Sequence, residues 1–322
     1  MNNIPSFLKI KTLNIKYLDQ IHNLLNHHYK EDKYQTIRHI YSKDYLYWHL
    51  KMVYKNLFIG LVYQKKLVGM VSVIVHDYNI NSKNTKMAII EFLCVQKNII
   101  GTEKYLLDEV KNRINQMGIK YIINNYNRGQ KIITVNDYVI PINCQKLRNI
   151  NFLLEEYPEK IPTINYLSLM KKSDLNYVIP KLNQFMKKFT FYPLFDANSG
   201  YNFLVPKKNI IYSFVKHNGY QVTDFVSVRK YYYYCQEKHT MITTAQLTYY
   251  YHETMTLTEL ITQLINKLKY YKFDQLIFRN WSDNNKINIT RFEAHDKIDY
   301  YLDGIRPNFL TNLLNTNVGC LL

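Results

Sequence analysis

The sequence predicts a mixed α/β fold built of two similar units. Three observations carry this. Apolar residues recur at helical spacing in some segments and as short continuous or alternating runs in others. The order helix, strand, turn, strand, strand, helix, strand occurs twice along the chain. The 322 residues suffice for two domains, with 47% hydrophobic and 15% aromatic residues to fill their interiors. Glycine and proline number only 9 and 8, which excludes collagen-like and flexible low-complexity architectures. A coincidence of coarse patterns would write the same string, so the repeat alone leaves open two unrelated domains.

In the first half, Leu13, Ile15, Leu18, Ile21, Leu24 and Leu25 place an amphipathic helix over 13–27. A polar, acidic stretch follows, and then a short helix at DYLYWHL (44–50). NLFIGLVYQ, a Lys65-Lys66 turn and LVGMVSVIV read as a hairpin. AIIEFLCV (88–95) is a nearly unbroken apolar run, as expected of a strand buried on both faces. A helix over Thr102–Met117 and the strand KYIINNY (120–126) complete the unit. In the second half, 175–189 is an amphipathic helix that Pro180 either kinks or begins. Two strands flank the hairpin turn at His217-Asn218-Gly219. TAQLTYYYHE (244–253) is a strand, 256–271 a helix with Thr256 as N-cap, and KFDQLIF (272–278) a last strand. The segment between the halves, with Pro141, Pro158 and Pro162, is expected to be an irregular connection.

The chain carries 42 Lys+Arg against 25 Asp+Glu, formally +17. Such an excess attracts anionic partners such as nucleic acid, phosphorylated cofactors or an acidic membrane surface. It also fits a solvated, lysine-rich surface. Residues 1–160 hold 23 basic and 13 acidic residues, and the remainder 19 and 12, so no basic tail is set apart for gripping DNA. Cys94, Cys144, Cys235 and Cys320 are too scattered for a zinc motif, and no metal is expected. The opening MNNIPSFLKIK is too polar for a signal peptide, and no apolar run is long enough to span a membrane. A reducing, cytoplasmic setting is the expectation.

Two places invite chemistry. The buried strand 88–95 leads to Gly101-Thr102, where loop becomes helix. The unpaired N–H groups of a helix start suit phosphate, and Lys97 and Lys104 flank the place. A Thr102 N-cap would look the same. Acyl-CoA-using acetyltransferase folds hold the CoA pyrophosphate with this strand, turn and helix order. The second place is the apolar end, Val318-Gly319-Cys320-Leu321-Leu322. Chain ends are usually polar and frayed. An end packed inward carries its carboxylate into a desolvated interior, although a last strand completing a sheet is the simpler account.

The motifs resemble those of the N-myristoyltransferases, in order and over nearly the whole chain. They are residues 21–50, KLVG (66–69), EFLCVQK (91–97), VPKKNIIYSFV (205–215), VTDFVSV (222–228), FD (273–274), DYYL (299–302) and VGCLL (318–322). The resemblance implies two acetyltransferase-like (GNAT-type) lobes around a saddle-shaped sheet. The lobes would be an acyl-CoA-binding one at 1–160 and a peptide-binding one at 161–322. It implies transfer of myristate from myristoyl-CoA, a cosubstrate rather than a bound cofactor, to the N-terminal glycine of proteins. By the same resemblance, the amides of Phe92 and Leu93 stabilise the oxyanion, and Leu93, Cys94 and Val95 lie along the acyl-CoA. Cys94 is not a nucleophile. Lys97, Gly101, Thr102, Glu103 and Lys104 meet the CoA phosphates. Tyr29, Asp32, Tyr41, Glu91, Asn125 and Asp296 meet the acceptor.

The carboxylate of Leu322 would take the proton of the glycine ammonium. With pKa values near ~3.5 and ~8, that transfer is uphill by roughly 6 kcal/mol in water. Burial raises the first value and lowers the second. The chain also departs from the family pattern. Glu91 replaces Asn, the Arg-Ser-Lys-Arg phosphate run reads Ile100-Gly101-Thr102-Glu103, and the family's Phe-Trp segment covering the CoA has no counterpart before residue 10. Two other readings therefore stand beside the first. One is an acyltransferase with a different donor or a lysine acceptor; the other is a non-catalytic acyl-CoA or acyl-peptide binder. The expected protein is a monomer that neither binds nucleic acid nor spans a membrane.

Overall fold

The computed structural model describes residues 5–29, 37–99, 101–153, 166–304 and 318–319, without the side chains of 294–296. The first half runs β1 (Lys9–Thr12), α1 (Leu18–His28), β2 (Ile37–Ile40), α2 (Lys43–Met52), β3 (Phe58–Tyr63), β4 (Lys66–Ile80), β5 (Lys83–Val95), α3 (Glu103–Gln116) and β6 (Tyr121–Asn124). Next come β7 (Gln130–Pro141), α4 (Cys144–Asn149), β8 (Ser168–Leu169), α5 (Leu175–Met186), β9 (Phe191–Pro193) and α6 (Ala197–Phe203). The chain then forms β10 (Ile211–Asn218), β11 (Gln221–Cys235), β12 (Thr240–Tyr251), α7 (Leu257–Tyr270), β13 (Gln275–Arg279) and β14 (Phe292–Asp303). The expected repeat is present as α1, β3–β5, α3, β6 and again as α5, β10–β12, α7, β13.

The chain divides into two compact units. One holds Met1–Asp77, Asn84–Ile132 and Asp299–Thr311; the other holds Tyr78–Lys83, Ile133–Ile298 and Asn312–Leu322. The division thus falls earlier than the boundary at 160, because β7 pairs along its C-terminal end with β13. In the first unit the strand order is β1-β3-β4-β5-β6-β14. β3 and β4 form the expected hairpin, but its turn is Gln64-Lys65 rather than Lys65-Lys66. Both turn residues have positive φ (45° and 68°), as a type I′ turn requires. Leu106, Leu107, Val110 and Ile114 give α3 one buried face, which packs on Leu61, Val71 and Ala88 of the sheet.

In the second unit the order is β7-β13-β12-β11-β10-β8. Here Gly219 (φ 60°) and Tyr220 join β10 to β11, with Asn218 opposite Gln221. Thr256 caps α7, as expected, in a reciprocal box with Glu259. Pro180 is the sixth residue of α5, so it does not begin the helix. Two motif aspartates build this unit. Asp224 accepts from the amides of Glu253 and Met255 at 3.0 and 3.1 Å. Asp274 accepts from Thr243 N–H at 2.7 Å and pairs with Lys146 at 2.6 Å.

In each unit the strand beyond the parallel pair comes from the other half of the sequence. The parallel pairs β5–β6 and β12–β13 are equivalent. The next strand in each sheet is antiparallel: β14 on β6, with Tyr301 opposite Asn124, and β7 on β13, with Val139 opposite Ile277. These two strands are exchanged between the halves of the sequence. This corrects the irregular connection expected after residue 126, where β7 and α4 stand instead. Asn136-Asp137 lies mid-strand, where the amide of Asn136 donates to Asn280 Oδ1 at 2.9 Å.

Candidate active site

β5 and β6 pair only from Met87–Ile89 to Tyr121–Ile123. β6 ends at Asn124, so the same edge of β5 at residues 91–93 meets side chains instead of a neighbouring strand. Phe92 is in edge contact with Tyr29 (5.5 Å), Tyr41 (5.1 Å) and His49 (4.7 Å) between ring centroids. Two phenols take up the backbone groups that flank Phe92. Leu93 N–H donates to the Tyr126 hydroxyl at 3.1 Å, and Tyr29 donates to the Glu91 carbonyl at 3.4 Å. The two hydroxyl oxygens are 3.5 Å apart. Burial pushes both phenols above their ordinary pKa, so both stay protonated at neutral pH.

The structure thus brings Tyr29, Tyr41, Glu91, Phe92 and Leu93 into one cluster, with the half-buried Asn125 beside Tyr126 in the next turn. Tyr126 was not singled out from the sequence, where it looked like the last residue of a strand. The signal was the polar, turn-rich Asn124–Gly129 around it. Cys94 is buried and its thiol donates to Leu24 O at 3.9 Å. Burial, followed by the charge of Glu103, pushes its pKa up to about 12, which removes it as a nucleophile at neutral pH. Val95 is buried against Gly69, where a Cβ would lie 2.8 Å from Val95 Cγ1.

At the start of α3, Thr102 makes no side-chain cap; its hydroxyl donates backwards to Ile99 O at 2.9 Å. The Gly101 amide, expected to face phosphate, donates to Glu103 Oε2 at 2.8 Å. A carboxylate therefore already occupies the anion-seeking N–H of this loop. Lys97 and Lys104 are exposed beside it, with Lys104 Nζ 5.1 Å from the Tyr105 ring centroid.

In the second unit, the C-terminal segment is tied down at Val318 and Gly319, both buried. Val318 bridges Phe191, and Gly319 N–H donates to Phe191 O at 2.7 Å. Ser282 aims both its N–H (2.9 Å) and its hydroxyl (3.2 Å) at Val318 O. It does so from φ 56°, a region uncommon for a residue with a side chain. A Cβ on Gly319 would lie 2.7 Å from Tyr192 Cβ, so only glycine fits there. Ser282 was not foreseen, because its partner lies 36 residues away. Asp32 and Leu322 lie outside the described residues, as does the side chain of Asp296.

The fold, antiparallel strands followed by a parallel pair beside a helix start, is similar to that of GCN5-related N-acetyltransferases. A solved member of that class from Anabaena variabilis matches with a TM-score of 0.53 at 10% identity, covering 92% of this chain and 72% of that one. A closer likeness is to Saccharomyces cerevisiae N-myristoyltransferase, solved with bound myristoyl-CoA. Its TM-score is 0.86 at 20% identity, covering 99% of this chain and 86% of that one.

Family models for the N-terminal and C-terminal domains of myristoyl-CoA:protein N-myristoyltransferase match residues 2–133 and 143–316. A protein of Acanthamoeba polyphaga mimivirus, assigned by name to the glycylpeptide N-tetradecanoyltransferases, is 45% identical over 92% of this chain and 86% of its own length. The Plasmodium falciparum glycylpeptide N-tetradecanoyltransferase is 30% identical over 64% of this chain, which spans 55% of that protein. The chain belongs to the myristoyl-CoA:protein N-myristoyltransferase family.

Proposed function

We propose that the chain transfers myristate from myristoyl-CoA to the N-terminal glycine of proteins. The observation that carries this is the Leu93 N–H, which lies past the last β5–β6 pair and donates to a side-chain hydroxyl instead of to a strand. The glycine ammonium gives one proton to the carboxylate of Leu322. The freed lone pair forms the C–N bond at the thioester carbonyl, and the oxygen gains the negative charge. A preorganised amide stabilises that charge without reorganising as it develops. The carbonyl then reforms, the C–S bond breaks, and the second amine proton leaves with the CoA sulfur. Phe92 N–H joins Leu93 at the oxyanion. Successive N–H groups of a regular strand point to opposite edges, so this sharing requires a local bulge at Phe92.

Leu93, Cys94 and Val95 line the donor, and Lys97, Lys104 and the Gly101–Glu103 loop meet its phosphates. Tyr29, Asp32, Tyr41, Glu91, Asn125 and Asp296 meet the acceptor. The pinning of Val318 and Gly319 supports the role of Leu322, because it fixes the backbone three residues from that carboxylate. No helix among the described residues is long and apolar enough to cross a membrane. A monomeric enzyme acting in the cytoplasm, without nucleic acid, accords with this reading. Incubation with myristoyl-CoA and glycine-initiated peptides, followed by mass spectrometry, tests it: one added myristoyl group is expected. Thermal stabilisation by myristoyl-CoA without any product would instead mark a binder, and faster transfer from shorter acyl-CoAs a different donor.

A further inference from the structure

The edge of β5 at residues 91–93 is occupied by side-chain oxygen. Leu93 N–H has one hydrogen to give, and it gives it to Tyr126 at 3.1 Å. Tyr126 in turn lies against Tyr29, which returns to the Glu91 carbonyl. The two hydroxyls thus bridge the N–H and the C=O on either side of Phe92, the groups a neighbouring strand would otherwise satisfy. Any oxygen that is to accept from Leu93 N–H must stand where the Tyr126 oxygen stands.

The backbone that carries Tyr126 is firmly built. Asn124, 3% exposed, accepts from the amides of Tyr126 (3.0 Å) and Arg128 (3.4 Å) and donates to Arg128 O (2.8 Å). Arg128 also pairs with Asp108 at 2.9 Å. The ring itself is only partly buried, at the rim of the core around Leu93 and Val95. Rotation of the side chain alone therefore moves the hydroxyl while the turn stays in place.

We propose that Tyr126 is a positioning and specificity residue of the acyl-donor site, its hydroxyl holding Leu93 N–H until the thioester carbonyl oxygen displaces it. This rests on the reading of Leu93 as an oxyanion donor. The free enzyme keeps its donor satisfied and dry, and a ligand gains full affinity only if it brings a carbonyl oxygen to that place. Each thioester that binds must first break the phenol's hydrogen bond.

The test compares Tyr126→Phe with the unaltered chain for two ligands, myristoyl-CoA and the tetradecyl thioether of CoA, which lacks the carbonyl. Calorimetry should show Kd for the thioester falling about 2- to 10-fold in the variant, the worth of one neutral hydrogen bond. Kd for the thioether should stay the same, and kcat should remain within about 2-fold. The phenyl ring keeps the packing, and thermal unfolding of the variant verifies that it folds; Tyr126→Leu serves as a second variant if it does not. An equal change for both ligands would show that Tyr126 acts on fit alone, and a fall in kcat of tenfold or more would place the hydroxyl in the transition state. Either result overturns the proposal. Failure of the unaltered chain to bind either ligand overturns the proposed function beneath it.

Discussion

Glu103 shows at the residue scale how one side chain redirects a site. Where the family pattern places cations, this chain has a carboxylate that satisfies the Gly101 amide at 2.8 Å. On the proposed placement of the acyl-CoA phosphates, they compete with it for that N–H and against its charge. Replacement Glu103→Ala should lower KM for acyl-CoA about 2- to 10-fold and leave kcat unchanged, at a cost of about 0.5 kcal/mol for losing an acid in the first turn of α3. Steady-state kinetics verifies this, and a higher KM would mean that Glu103 supports binding. Sequence reasoning named Glu103 as a donor-site residue, but its local partner depends on the left-handed Gly101 (φ 92°), which a string of letters does not display. Cys94 was placed correctly in a buried strand, since its neighbours in sequence are apolar.

Among the elements, the segment at Val318–Gly319 links position in the chain to position in space. Phe191 and Ser282 hold it from two directions, and Gly319 leaves no room for a methyl group against Tyr192. Gly319→Ala should displace the residues that follow. The expected outcome is a fall in kcat of about tenfold or more, while thermal unfolding shifts by only a few degrees, as is usual for a change of about 1–2 kcal/mol in a chain of this size. Unchanged kcat would show that placement of this segment does not matter to transfer. Elements with local signatures were legible: the Thr256–Glu259 box, the Gly219 turn and the apolar face of α3. β7 was not, because its polar Asn136-Asp137 centre is satisfied by Asn280 and Arg279, partners far along the chain.

At the scale of the whole molecule, the two halves exchange the strands β7 and β14. The repeat was readable from the sequence because each half uses the same local periodicities. The exchange was not, because it is a matter of partner choice between two equivalent edges. In each unit the strand beyond the parallel pair comes from the other half, so neither half completes its own fold. Residues 1–132 alone leave the β6 edge without β14, and they should aggregate or remain unfolded. Co-expression with 133–322 should restore a cooperative unfolding transition, as circular dichroism would show. A cooperatively folded 1–132 fragment would contradict this.

The central claim is that myristate transfer to a glycine amine uses the carboxylate of Leu322 as base. The direct measurement is single-turnover transfer to a glycine-initiated peptide, followed by mass spectrometry, for the chain as it stands and for a form extended by a few residues beyond Leu322. The account predicts one added myristoyl group with the first and transfer slowed by at least a hundredfold with the second. Equal rates for the two would contradict it.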